Sequence, residues 1–319
     1  MSSGVEQTPS LSVVVVILAG PQYLVRCLTA LQAQRGAKLL EVIVPHDDRV
    51  GDMAVLRRQF PAVQFVHQPG RHSYAELRSL GFRTARGDII ALTEDHCSPE
   101  PEWCATILNL HRGPYAAVGG SVDKSGHDSA LNWAIYLSDF GRYMNPVHQG
   151  PAGYLTDCNV SYKRSAIEPI AELWADAFHE TTVNWALQDR GEKLLLSPTV
   201  VVQQQRTLTW DYALRERFNF GRLFASTRVA AVGPAKRAVY AAASGALPFI
   251  IVGRVVRNVA EKRRAVSQFF MSLPHIIVLA LTWSLGEFVG YLTGRASPTG
   301  DAAWDTANET TSEVAASAV

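Results

Sequence analysis

The 319-residue chain is 47% hydrophobic and 18% charged, apolar enough for a full core, which excludes a disordered chain. Its 30 basic and 29 acidic residues leave a formal net charge of +1, so the charge balance gives no reason to expect nucleic acid as a partner. The four cysteines, Cys27, Cys97, Cys104 and Cys158, form no CxxC pair and no zinc-ligand spacing, and are expected as reduced, buried thiols.

Residues 1–10 are polar and carry no basic n-region, so the part that follows is expected to stay in the cytoplasm. Residues 11–18 are a continuous β-branched run, as expected of a strand buried on both faces. Gly20-Pro21 breaks it, and 23–34 reads as a helix. A short apolar strand over 41–44 is stopped by Pro45 and the polar His46-Asp47-Asp48. Residues 53–59 are helical, 63–67 form a third strand, and 74–85 form a helix ended by Arg86-Gly87. A fourth strand over 88–93 runs straight into Glu94-Asp95-His96. Alternation of this kind predicts a parallel, doubly wound sheet, which places ligands at the carboxyl ends of its strands. Two acidic clusters, at 47–48 and 94–95, fall at such ends.

Beyond residue 116 the pattern changes. A short strand closes at Gly119-Gly120, and a polar, aromatic stretch follows to Tyr154. Residues 159–162 are strand-like, 180–188 helical, 194–202 a strand interrupted by Pro198, and 210–232 a long basic helix. Two apolar blocks follow, 238–252 and 269–292, with a basic stretch between them. The end, from Ala296, is small and polar and is expected to be disordered.

Glu94 and Asp95, directly after a buried strand, can hold a divalent cation that neutralises a diphosphate; His96 suits Mn²⁺ as well as the carboxylates do. The same tripeptide also reads as an acidic turn capping the next helix. Asp47 and Asp48 can accept hydrogen bonds from a base or ribose, or form a solvated turn. No GxGxxG follows the first strand, which argues against a nicotinamide dehydrogenase.

The succession of 11–18, Glu41-Val42-Ile43-Val44, Arg78-Ser79-Leu80-Gly81, Thr93-Glu94-Asp95-His96-Cys97 and the Pro99 to Trp103 segment resembles family 2 glycosyltransferases, which have the GT-A fold. The resemblance continues through Asp157-Cys158-Asn159, similar to the family's Gly-x-Asn segment, then His179-Glu180, Arg190-Gly191 and Phe220-Gly221-Arg222. It covers roughly residues 10 to 230, and the order of landmarks is more specific than any one of them. It implies an α/β fold with a GT-A-like doubly wound mixed sheet, a nucleotide-sugar donor, a divalent metal (Mn²⁺ or Mg²⁺), and inverting transfer to a glycolipid or polysaccharide acceptor.

Carried over by position, the resemblance assigns Asp47, Asp48, Arg78, Glu94 and Asp95 to the nucleotide sugar. It assigns Asp95 and His96 to the metal, and Asn159 and His179 to the acceptor side. Counting back from Gly191 puts Glu180 at the position of the catalytic base. A carboxylate there can take the proton as a hydroxyl attacks an oxocarbenium-like centre; the alternative is that it only caps its helix. There are departures: Leu18-Ala19-Gly20-Pro21 replaces the usual first turn, Ser79 replaces Asn, and Gln203-Gln204-Gln205 stands where relatives often carry His.

Residues 269–292 are long enough to span a bilayer but contain Pro274, His275 and Glu287. Arg254, Arg257, Lys262, Arg263 and Arg264 between the blocks would lie outside if both blocks crossed, against the positive-inside tendency. The expectation is a helical pair lying in or dipping into the cytoplasmic leaflet of the cell membrane, with membrane lipids as partners. The expected division is a catalytic domain over 10–232, a membrane-associating helical region over 233–295 and a tail over 296–319. A second reading is a non-catalytic nucleotide-sugar-binding scaffold on the membrane.

Overall fold

The computed structural model describes residues 11–36, 40–124, 126, 128–229 and 232–295. The expected tail, and His127, lie outside them. In chain order the elements are β1 (Leu11–Val16), α1 (Pro21–Gln32), β2 (Leu40–His46), a 3₁₀ turn (Asp48–Val50), α2 (Ala54–Gln59), β3 (Val63–His67), α3 (Tyr74–Thr84), β4 (Ile89–Glu94), β5 (Cys97–Pro99), α4 (Trp103–Leu110), β6 (Ala117–Asp123) and α5 (Ala130–Asp139). They continue with β7 (Gly150–Pro151), β8 (Asn159–Lys163), α6 (Arg164–Ile167), a second 3₁₀ segment (Glu168–Leu173), α7 (Glu180–Asp189), β9 (Leu194–Gln204), α8 (Trp210–Arg228), α9 (Pro234–Ser244), α10 (Leu247–Lys262) and α11 (Val266–Thr293).

The chain divides into two compact units. The first comprises residues 1–124 and 145–205, and the second 125–144 and 206–319. In the first, the described residues form one nine-stranded sheet in the order β3-β2-β1-β4-β8-β6-β9-β5, with β7 on β9. The strands β3, β2, β1 and β4 are parallel, and β8 runs antiparallel to β4. The sheet is therefore mixed, of the GT-A type. β1 and β4 are buried throughout, in keeping with their largely apolar sequences; the buried polar members are Ser12 in β1 and Thr93 and Glu94 at the end of β4.

Pairing fixes the working edge. Val16 lies opposite Glu94, His46 opposite His67, and Thr93 opposite Asn159. The carboxyl ends of the parallel strands and the start of antiparallel β8 thus share one edge, which brings Asp157 beside Glu94. Behind that edge α3 lies close against the sheet. A Cβ at Gly81 would come 2.3 Å from Val14 Cγ1, so only glycine fits there. The core below is aromatic: the Phe82 and Phe178 rings stack at 4.1 Å, with Tyr162 and Trp174 against them. All four cysteines are free and buried, as the composition leads one to expect.

The second unit is helical. α5 belongs to it, although the sequence reads that stretch only as polar and aromatic; Leu131, Trp133, Ile135 and Tyr136 are buried along it. The basic stretch between the apolar blocks is helical, with Arg254, Arg257 and Lys262 on α10. The left-handed residues Arg263 and Ala265 separate α10 from α11. α8 packs against α11 at very short range. Added Cβ atoms at Gly221 and Gly286 would meet Trp283 O at 2.4 Å and Phe218 O at 2.2 Å. This explains why α8 clusters with the helical unit and the boundary falls at 205/206 rather than at the expected 232/233.

α11 is long and apolar enough to cross a membrane, with a mean hydropathy of 1.6 over its best window, 39% of which is buried inside the protein. α9 and α10 together meet the same criterion as a pair bent by 48°. Large apolar side chains such as Phe249, Phe270, Leu281 and Leu285 are exposed on these helices.

Candidate active site

Arg78 is the hub of the sheet edge. The capping box of Ser73 and Glu76 starts α3, and one turn later the helix delivers Arg78 beneath the strand ends. Its Nη2 donates to Glu94 Oε1 at 2.9 Å and to Asp157 Oδ2 at 2.6 Å, and its Nη1 lies 3.7 Å from Glu180 Oε2. Burial works against its charge, but Asp157, Glu94 and Glu180 outweigh burial and raise its pKa. Its Nε is buried without a partner.

Three carboxylates share this one guanidinium, and the imbalance falls on Glu94. Burial, and then the nearby Asp157 charge, push its carboxyl up to about 7 against the opposing pull of His96 and Arg78. Glu94 Oε2 lies 3.4 Å from His96 Nε2.

Asp95 points the other way. It is fully buried, and its carboxylate accepts the backbone N–H groups of Ala19 at 2.8 Å and Gly20 at 2.8 Å. Gly20, at φ 112°, carries the chain into α1 through a conformation that favours glycine. Asp95 thereby closes the turn after β1. The expected first metal ligand is thus held by backbone amides, and His96 lies between the two carboxylates, its Nε2 3.4 Å from Glu94 Oε2 and its Nδ1 3.4 Å from Asp95 Oδ1.

Glu180 is the first residue of α7. Its Oε1 accepts from Tyr154 Oη at 2.7 Å and from Thr181 Oγ1 at 3.1 Å, which leaves Oε2 toward Arg78. His179, just before it, is exposed and makes no side-chain cap. Asp47 is buried and bound by its own loop: Arg49 Nη2 donates to it at 2.7 Å and the His72 N–H at 2.8 Å. Those hydrogen bonds overcome burial and hold its pKa below the usual range. Asp48 is exposed and accepts from Gly70 N–H at 2.7 Å and lies 2.8 Å from His67 Nε2.

Asn159 corrects the expectation. It is fully buried and accepts from Trp103 Nε1 at 2.8 Å while donating to the carbonyls of Ser121 and Val200. Its amide is spent on joining strands, so it offers nothing to an acceptor. Ser79 donates to the Ala175 carbonyl and is likewise structural. The glutamine run sits beside the acidic motif, with Cys97 opposite Gln204 and the Gln205 N–H donating to the His96 carbonyl at 2.8 Å.

Sequence reasoning does not single out Asp157 and Tyr154, both of which the structure brings to the cluster. Asp157 had a signal, since it replaces the glycine of the family's Gly-x-Asn pattern. Tyr154 had none.

Among the described residues, no three His, Cys, Asp or Glu side chains already converge as a metal set. The donor chemistry fits a divalent cation all the same. Glu94 supplies a carboxylate and His96 an imidazole, in a pocket with more acid than base, and Mg²⁺ and Mn²⁺ commonly take one or two protein ligands plus substrate phosphates.

Residues 12–170 match the model of the glycosyl transferase family 2. No curated protein sequence matches the chain. Among solved structures, the chain is similar to the mannosyltransferase PcManGT from Pyrobaculum calidifontis in complex with GDP-Man and Mn²⁺, with a TM-score of 0.54, 15% identity and 88% of each chain covered. At that identity the likeness is one of fold. By the family match together with this fold, the chain belongs to glycosyltransferase family 2.

Proposed function

We propose that this glycosyltransferase moves a hexose from a nucleoside diphosphate sugar to a lipid-linked or polysaccharide acceptor, with inversion at the anomeric carbon. The observation that carries the reading is the convergence of Arg78, Glu94, Asp157 and Glu180 at the carboxyl edge of the parallel strands. The GDP-Man and Mn²⁺ bound by the mannosyltransferase of like fold support a nucleotide-sugar donor and a divalent metal here. The catalytic role is assigned to the sheet unit, and Asp47 and Asp48 to the base and ribose of the donor.

Glu180 acts as general base through Oε2, which has acceptor capacity left, while Tyr154 and Thr181 fix the carboxylate. The acceptor oxygen bonds to the anomeric carbon as the bond to the nucleoside diphosphate breaks, and the hydroxyl proton passes to Glu180. Glu94 and His96 would hold a divalent cation, which would supply charge neutralisation for the departing diphosphate. Arg78 orients the carboxylates and adds a fixed positive charge beside them. His179, exposed at the start of α7, remains on the acceptor side. The apolar helices support attachment to the membrane, and the reading assigns that attachment to the cytoplasmic face.

The test is a panel of nucleotide sugars screened by thermal shift with and without Mn²⁺, followed by product analysis with the best binder. A metal-dependent rise in melting temperature and a product of inverted configuration support the reading. Binding without transfer or donor hydrolysis would favour a scaffold role instead.

A further inference from the structure

The helical unit contains a cavity of about 400 Å³ whose lining includes none of the residues assigned above to catalysis. Small-molecule sites run to about 300–1,000 Å³. One part of the wall is apolar, formed by Leu247, Ile250 and Ile251 of α10 and Leu279 of α11. Another part is basic, formed by Arg217 and Arg228 of α8 and Arg254 of α10. Phe224, Ile250 and Arg254 line the cavity and are also exposed, so it opens to the surface. Phe249, beside Ile250 in sequence, is 81% exposed.

The acids in the lining are already engaged. Asp139 takes both Nη groups of Arg217, at 2.7 and 2.6 Å, and Glu287 accepts from Trp283 Nε1 at 2.7 Å. Arg217 keeps a buried Nε without a partner. Arg228 lies over the Tyr240 ring at 5.0 Å and reaches Tyr291 Oη at 3.4 Å. Neither Arg228 nor Arg254 forms an ion pair among the described residues. The cavity therefore presents two guanidinium groups, those of Arg228 and Arg254, that have no carboxylate partner among the described residues, next to an apolar wall. A free sugar phosphate would leave that wall wet, and a neutral lipid would leave the arginines unanswered. An amphiphile with a phosphate satisfies both.

We propose that this cavity binds the phosphate headgroup of an anionic membrane lipid, with the adjoining acyl segment against Leu247, Ile250, Ile251 and Leu279. The inference does not depend on how the catalytic site is read. The phosphate is held by Arg254 and Arg228, and the exposed apolar surface of the same helices accommodates the rest of the lipid.

The test uses full-length protein in neutral detergent, titrated with short-chain phosphatidylglycerol, short-chain phosphatidylcholine or inorganic phosphate, with the melting temperature and the native mass as readouts. Phosphatidylglycerol raises the melting temperature saturably and stays bound in the native mass spectrum, while the other two do neither. Arg254→Gln weakens the phosphatidylglycerol response by about tenfold, the loss expected for one charge-assisted contact. Arg254 is exposed, so this variant keeps the fold. Ile251→Trp narrows the cavity and weakens the same response. Arg257→Gln, on α10 but outside the lining, leaves it unchanged. An equal response to inorganic phosphate, or to phosphatidylcholine, overturns the proposal. So does wild-type affinity in Arg254→Gln, or an equal loss in Arg257→Gln, which would mean diffuse surface charge.

Discussion

A single guanidinium among three carboxylates sets the chemistry of the site at the residue scale. Removing the negative charge of Glu180 tests the base directly. Glu180→Gln keeps the hydrogen bonds from Tyr154 and Thr181 and so preserves donor affinity, but it loses transfer by about 10²–10⁴. Turnover near wild type in this variant would exclude Glu180 as the base. Glu94 makes a separate prediction about pH. Its folded pKa stands above the ordinary 4.5, at about 7, so the folded state binds an extra proton between those values. Stability of the metal-free protein therefore declines as pH rises through that window. Glu94→Gln removes this dependence. Measured in chelator, its melting temperature gains on wild type from acid to neutral pH, and a constant difference would contradict the burial argument.

At the scale of the element, α3 carries the site. It begins at a capping box, lies flush on β1 through Gly81 and presents Arg78 to the strand ends. Ser73→Ala leaves a helix N–H without its acceptor and costs about 1 kcal/mol of stability by denaturant titration. Gly81→Val is more damaging, because its side chain would overlap Val14, and overpacking of this kind costs about 1–3 kcal/mol. The greater effect of Gly81→Val, with reduced activity through displaced Arg78, separates packing from capping.

At the scale of the whole molecule, two units of different character share one chain. The sheet unit buries its apolar runs, whereas the helical unit leaves Phe249, Phe270, Leu281 and Leu285 exposed. Exposed apolar area of that kind marks a membrane or partner surface. The full-length protein is therefore expected in the membrane fraction, and high salt does not release it, because apolar burial is not screened. Recovery of the full-length protein in the soluble fraction without detergent would reject attachment.

Strand runs and turn residues are local properties, so the sequence alone determined the α/β sheet and the strand end that carries Glu94, whereas Arg78 and Glu180 are picked out only through the family resemblance. Periodicity and hydrogen-bond competition act within a few residues, and they place β1 to β4, α3 and α7 within a residue or two of their bounds. The direction in which each side chain points is decided by partners far along the chain. Asp95 turns to the amides of Ala19 and Gly20, Asn159 binds Trp103 and the carbonyls of Ser121 and Val200, and Asp157 reaches Arg78 across 79 residues. The same holds for α5, whose apolar face has meaning only against the helices that follow residue 206. Chemical type is written in the residue, but its role follows from which distant backbone and charge it meets, and only the tertiary structure brings those together.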